Sequence, residues 1–307
     1  MALVITLLII TTLTGLTVAF SEKSSIELSL AGYARDQYRA SQIARSGVNI
    51  ALALLGQDED KNMDSLREEW SQFGAESYPE ELPESVFISG GIVDENSKIN
   101  INYLINKDGE IDEQRVDQLI RLFNVLGLKA DLVNPILDWL DGDDDERLDG
   151  AEKFFYQSLK KPYECANMPL LTIRQIFMIK GIRDIQDFGK KGEKTLLDFL
   201  TIHSDGKINI NTAPGEVLQT LHEDIDGALA QSIIDYRSEE DFLTINDLRN
   251  VPGIDELLFD SIKEWLTVKS SAFSIEVEVK NVEAAAGVKA VTLREANKSI
   301  LVYWQVV

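Results

Sequence analysis

The stretch "DGDDDERLDGAE", residues 141–152, places seven carboxylates and one arginine in twelve residues. Oxygen donors at that density suit a hard divalent cation, since calcium takes about six to eight oxygens from a short segment. On the EF-hand pattern, Asp141, Asp143 and Asp145 fall at the first three ligand positions, followed by the Arg147 carbonyl, Asp149 and Glu152. Glu146 stands where that pattern has the glycine of its sharp turn. Gly142 and Gly150 lie elsewhere in the segment, and Asp138, one helical turn before Asp141, is an alternative ligand for an irregular loop. "NPILDWL" reads as an entering helix and "GAEKFFYQSL" as an exiting one. The competing reading is a solvated acidic turn, although carboxylates this dense repel one another between apolar segments that pack. Magnesium prefers fewer carboxylates and keeps its waters, and zinc asks for His or Cys. A calcium ion here would be structural, fixing the angle between two helices.

No other constellation supports catalysis. Cys165 is the single cysteine, and a lone thiol is more often a small packed side chain than a nucleophile. His203 and His222 are the only histidines, and neither sits in a nucleophile motif. "GKKGEKT" at 189–195 fails the spacing of a phosphate loop. The chain reads as a non-enzyme. Its formal charge of −22 repels nucleic acid and anionic lipid while attracting divalent cations and basic surfaces.

The elements that must position the acidic loop begin with "MALVITLLIITTLTGLTVAFS", which has no charged side chain before Glu22. About twenty apolar residues cover a bilayer's hydrocarbon core, so residues 1–21 can span one. A cleavable signal peptide is the rival, with small residues at Thr17-Val18-Ala19, but it normally has Lys or Arg ahead of the apolar run. From Ser21 to Leu55 there is no proline, and apolar residues recur at helical spacing, so the membrane helix runs into an amphipathic one. Together they predict a rod of about 80 Å.

This plan resembles the type IV pilins and the pseudopilins of type II secretion. Their precursors lose a basic leader just before the apolar helix, so the resemblance implies Met1 as a processed, N-methylated terminus. Most members have Glu at position five of the mature chain; here it is Ile5. The class known for lacking that glutamate is the K-type minor pseudopilin, placed at the filament tip, whose usual partners are the I- and J-type minor pseudopilins. Members of that class are also known to bind calcium in a helical domain. The resemblance implies an inner-membrane protein with a single pass and its bulk in the periplasm of a Gram-negative bacterium.

The remaining chain follows that order. Residues 56–83 are polar and proline-punctuated, a loop with one short helix. "SVFISGGIVDENSKININ" reads as two short β-type runs around Gly90-Gly91. The closing "AFSIEVEVKNV", "GVKAVTLREA" and "SILVYWQVV" read as an antiparallel meander. The middle reads as mostly helical, with internal similarity. "KININ" occurs at 98–102 and 207–211, and "LTI" precedes "GI" at equal separation in 171–182 and 243–254. The expectation is an α+β pilin fold, a long helix on a small antiparallel sheet, with a large helical domain inserted between strands. Its divisions are 1–21 (membrane half of the helix), 22–103 (outer half, linker and first strands), 104–268 (helical insertion) and 269–307 (closing strands).

Residues 207–266 also resemble the helix-hairpin-helix modules of DNA-uptake and repair proteins, which hold a phosphate on backbone N–H groups. That window carries four Lys and Arg against thirteen Asp and Glu, so its surface would repel DNA. A membrane-anchored DNA receptor is therefore the alternative function, with a minor type IV pilin as a third.

Overall fold

The computed structural model describes residues 1–57, 62–74, 87–185, 194–280, 284–295 and 298–306. The predicted rod forms as one helix, α1 (Ala2–Gln57), of 56 residues. Its first part is exposed and apolar enough to cross a membrane. Threonine hydroxyls in that part donate to carbonyls one turn back, Thr12 to Leu8 at 2.7 Å and Thr14 to Ile10 at 2.8 Å, so an apolar surface is kept despite polar side chains. The other end buries Ala40, Ala44, Gly47, Val48, Ala51 and Leu55. These small residues recur every three or four positions and let the helix lie close on a sheet.

That sheet has four antiparallel strands in the order β1-β6-β7-β8. β1 (Phe87–Asp94) precedes the inserted helical region. β6 (Ala272–Lys280), β7 (Ala285–Glu295) and β8 (Lys298–Val306) follow it as the expected meander. Alternate residues Phe273, Ile275, Val277 and Val279 of β6 face α1 and form one core with Trp70 and Phe73. Instead of two short runs around Gly90-Gly91, β1 is a single strand. A Cβ at Gly90 would strike the Glu276 carbonyl, so a glycine there lets β1 and β6 close without a break. A short 3₁₀ turn, Glu69–Gln72, supplies the helical piece expected between α1 and the sheet. "PEELP" and most of "GKKGEKT" lie outside the described residues.

The insertion is built from two copies of one frame. Each "KININ" opens with a two-residue strand: β2 (Ile99–Asn100), which pairs in parallel with β3 (Leu200–Thr201), and β4 (Ile208–Asn209), which pairs in parallel with β5 (Leu266–Thr267). In the first copy Asn102 Oδ1 accepts from Leu170 N–H at 2.8 Å and its Nδ2 donates to the Leu170 carbonyl at 3.0 Å. In the second, Asn211 grips Phe242 the same way at 2.9 Å and 2.9 Å. Between these ties the first copy holds α2 (Glu113–Val125), α3 (Val133–Leu140) and α4 (Lys153–Gln157). The second holds α5 (Gly215–Leu218) and α6 (Gly227–Glu239), with α7 (Glu256–Ile262) after the tie. The insertion's apolar core already takes in Ile99 and Ile101 and runs to Leu266.

Two segments read as helical differ. "LTIRQIFMIKG" forms a 3₁₀ turn over Ile173–Met178, and "TLLDFLTI" forms a 3₁₀ turn at Leu196–Asp198 followed by β3. Ile176 within the first of these turns, and Ile179 and Ile182 after it, are all fully buried.

A buried polar joint ties the insertion to the sheet. Asp94, at the end of β1, accepts from Asn96 N–H at 2.7 Å, Ser270 Oγ at 2.6 Å, Thr212 Oγ1 at 2.5 Å and Asn209 Nδ2 at 3.1 Å. Asp64 beside it pairs with Arg294 at 2.5 Å. Burial nonetheless raises the Asp94 carboxyl to about 6.

Candidate metal centre

The acidic segment lies between α3 and α4, the entering and exiting helices expected from the sequence. Pro135 is tolerated because it falls in the first turn of α3, where its missing N–H has no helical partner to lose. Ile136, Leu137, Trp139 and Leu140 bury the helix in the core, and that burial carries Asp138 inside with them. The helix stops at Asp141, whose backbone is extended and whose N–H still reaches the Leu137 carbonyl at 2.9 Å.

Asp138 is fully buried and its carboxylate is already occupied. Oδ1 accepts from Arg147 Nη1 at 2.7 Å, and Oδ2 accepts from Ala151 N–H at 2.7 Å and Arg147 N–H at 3.3 Å. A Cβ on Gly150 would collide with this carboxylate. Gly150 therefore serves the close approach, while the chain reverses through Asp149 at φ 58° and a 2.8 Å bond from Gly150 N–H to the Arg147 carbonyl. This is how the segment turns with Glu146 at the sixth position.

Of the six residues singled out from the sequence, the fold brings Asp141, Asp143 and Glu152 together, each offering a carboxylate oxygen within 4.8 Å of the others. Asp145 and Asp149 are exposed and outside that group; Asp145 N–H caps Asp143 Oδ1 at 2.9 Å. Arg147 turns its guanidinium inward, where Nη1 donates to Asp138 at 2.7 Å and Asp141 at 2.5 Å. Ile5 lies on the exposed end of α1, and Met1, also exposed, just precedes the helix.

The electrostatics of the group are unbalanced. Glu152 is 2% exposed, yet neither of its oxygens has a hydrogen-bond partner, and Asp141 Oδ1 has none either. Burial, followed by the charges of Asp138, Asp141 and Asp144, raises the Glu152 carboxyl to about 7. Burial also raises Asp141. Buried carboxylate oxygens without donors are costly, and a bound cation is the partner their geometry accepts.

Asn167 was not legible from the loop itself. Sitting at φ 44°, it crosses back to donate through Nδ2 to the Asp143 carbonyl at 2.5 Å and to Asp144 Oδ1 at 3.2 Å, while its buried Oδ1 has no partner. An Asn in a left-handed turn is its only sequence signal. Cys165 behaves as a packed side chain: burial, with the Glu152 charge nearby, pushes its thiol up to about 12.

The second frame carries paired hairpins instead of an acidic loop. Asp226 caps α6 through Leu229 N–H at 2.9 Å and Asp255 caps α7 through Leu258 N–H at 2.8 Å. The N-terminal amides that would meet a phosphate are thus answered by carboxylates.

Comparison with known proteins gives a consistent set of likenesses. Two family models, both described as type II secretion system (T2SS), protein K, match residues 97–185 and 208–269. Type II secretion system protein K of Klebsiella pneumoniae is 24% identical over 288 residues, covering 89% of this chain and 85% of that protein. ComE operon protein 1 of Bacillus subtilis (strain 168) is 41% identical over 88 residues, 26% of this chain and 42% of that protein. A chain of the GspK-GspI-GspJ complex from the enterotoxigenic Escherichia coli type 2 secretion system superposes with a TM-score of 0.68 at 18% identity, covering 89% of this chain and 97% of that one.

Proposed function

We propose that the chain, which matches the type II secretion system protein K models over residues 97–185 and 208–269, is a structural minor pseudopilin of that family that caps the tip of the pseudopilus and helps start its assembly. The observation that carries this reading is the joining of a 56-residue helix, apolar at its free end, to a sheet interrupted by a bulky insertion. A body of that width does not fit along the shaft of a helical filament, whereas the top of one has room for it. The apolar end of α1 anchors the protein in the inner membrane, with the rest in the periplasm. Subunits like GspI and GspJ pack against the exposed helix, and the protein catalyses no reaction.

The test is assembly. The full chain in detergent, mixed with the I- and J-type subunits of its own system, should co-elute with them as one species on gel filtration. Elution apart at all concentrations would remove the proposal.

Calcium is the ion whose chemistry the centre fits. Asp141, Asp143 and Glu152 would hold it, with Asn167 fixing the backbone at Asp143. Hard oxygens and no nitrogen or sulfur donor match calcium's preferences, and a bound ion would supply charge neutralisation. Binding to the folded state alone stabilises it by mass action. A calcium-specific rise in melting temperature, absent from D143A/E152A, is expected; equal melts in EDTA, magnesium and calcium would discard the ion.

The match to ComE operon protein 1 favours a second reading for residues 207–266, a nucleic-acid contact on a helix-hairpin-helix scaffold. With nine more acids than bases in that window, we expect no retention on DNA at low salt. Retention would revive it.

A further inference from the structure

Arg147 places a single guanidinium nitrogen between two buried carboxylates, 2.7 Å from Asp138 and 2.5 Å from Asp141. Those carboxylates are 0% and 4% exposed, while the arginine side chain keeps 24% of its surface. Asp141 is thereby divided: Oδ2 belongs to Arg147, and Oδ1 is left without a donor in the group shared with Asp143 and Glu152. Lys180 also reaches the loop, and its Nζ donates to the carbonyls of Asp149 and Gly150, at 3.3 Å and 2.7 Å.

We infer that Arg147 is a tethered counter-ion, one that holds the acidic centre together when calcium is absent and weakens calcium binding when it is present. The inference rests on the calcium reading of the same centre. Two cations on the two oxygens of one carboxylate lie a few ångströms apart, with Asp141 and Glu152 buried and Asp143 open to water. Like charges at that distance repel strongly, because burial removes most of the screening that water would give. The guanidinium also withdraws Asp138 from the set of ligands by occupying Oδ1, while the amides of Arg147 and Ala151 occupy Oδ2. A protein built this way keeps its fold across a range of calcium concentrations and responds over a higher one than four unneutralised carboxylates would.

This predicts effects of opposite sign from one change, which damage to the fold would not produce. In R147Q, whose amide still donates but carries no charge, the melting temperature in EDTA should fall. Its calcium Kd, read by isothermal titration of the full chain in detergent with calcium chloride, should drop by at least about ten-fold. R147K, which keeps the charge, should stay within about three-fold of the parent. D138N leaves the guanidinium wholly to Asp141, so its calcium binding should weaken by about three-fold or more. R147Q binding calcium no more tightly than the parent, R147K matching a tightened R147Q, or D138N binding more tightly would each overturn the inference. If R147Q does not fold in EDTA, R147K and D138N decide alone. A parent chain that takes up no calcium overturns the calcium reading itself, a separate outcome.

Discussion

The two frames of the insertion are closed by the same device and filled differently. Asn102 and Asn211 each grip a distant residue by both backbone groups, but the first tie encloses 68 positions and the second 31. Closing a longer segment costs more chain entropy, though only by a fraction of a kcal/mol for a doubling. The larger burden is electrostatic, because the longer segment brings Asp138, Asp141 and Glu152 inside. The shorter frame buries no carboxylate between Asn211 and Phe242. A frame can thus be duplicated and one copy given a loop that buries carboxylates, while the other stands on apolar packing and helix caps.

The sharpest way to break this comparison is to take away the proposed ion. In D143A/E152A, or in EDTA, we expect the first frame to lose about 3–4 kcal/mol of calcium-linked stability at an ion concentration a few hundred times Kd. Amide exchange should quicken over α3 and α4 and remain slow over α6 and α7. Equal quickening in both frames would show that they do not unfold separately.

The ties come next. Asn211 is 2% exposed, and N211A would strand the Phe242 N–H and carbonyl in the core, for a loss of about 2–4 kcal/mol. N102A, at a half-buried site where water can replace one bond, should lose about 1–2 kcal/mol. Urea melts would measure both; a larger loss for N102A would mean that the frame with the acidic loop depends on its tie more than the other.

Much of this organisation was legible. The length of α1, the closing meander and the two "KININ" segments follow from periodicity and repetition, as do the flanking helices of the acidic loop. What those two segments do was not legible, because strands of two residues in parallel pairs leave no alternating pattern. The 3₁₀ turn at Ile173–Met178 was hidden for a similar reason, since an apolar run spaced by three and four fits either helix. At the metal centre, residue types showed where oxygens are dense but not which converge. The inward turn of Arg147, the occupation of Asp138 and the arrival of Asn167 from 24 positions beyond Asp143 are tertiary facts.

Acidity gives the next effect. The Glu152 carboxyl is raised to about 7 in the folded protein against 4.5 for the free group, so the fold binds its proton more tightly than the unfolded chain does. Without calcium, that contribution is complete below about pH 4.5 and is lost as pH rises through 7, amounting to about 3 kcal/mol. Asp94 at the joint follows the same sign over a lower window, from 3.8 to about 6. Subtracting the E152Q profile in EDTA isolates the upper window. Calcium should reverse the trend there, because the ion requires the ionised carboxylate. A difference profile that stays flat between pH 5 and 8 would mean that Glu152 is ionised in the fold without an ion.

The smallest effect compares two glycines at matching places in the two frames. Gly181 sits at φ 78° and Gly253 at φ 98°, each following a 3₁₀ turn that opens with "LTI". A Cβ would lie 2.5 Å from Leu132 Cδ2 at Gly181 and 2.9 Å from Leu229 Cδ1 at Gly253. Both neighbours are ends of flexible side chains, so the backbone term dominates, and G181A and G253A should each cost about 1–2 kcal/mol. Leu132 immediately precedes α3, which carries Asp138 and leads into Asp141. A displaced Leu132 should therefore disturb calcium binding, whereas Leu229 lies in the second frame, away from the acidic loop. G181A should lose stability and several-fold of its calcium affinity together, and G253A should lose stability alone. Equal calcium affinity in the two variants would show that the centre is set by its own loop and not by the frame around it.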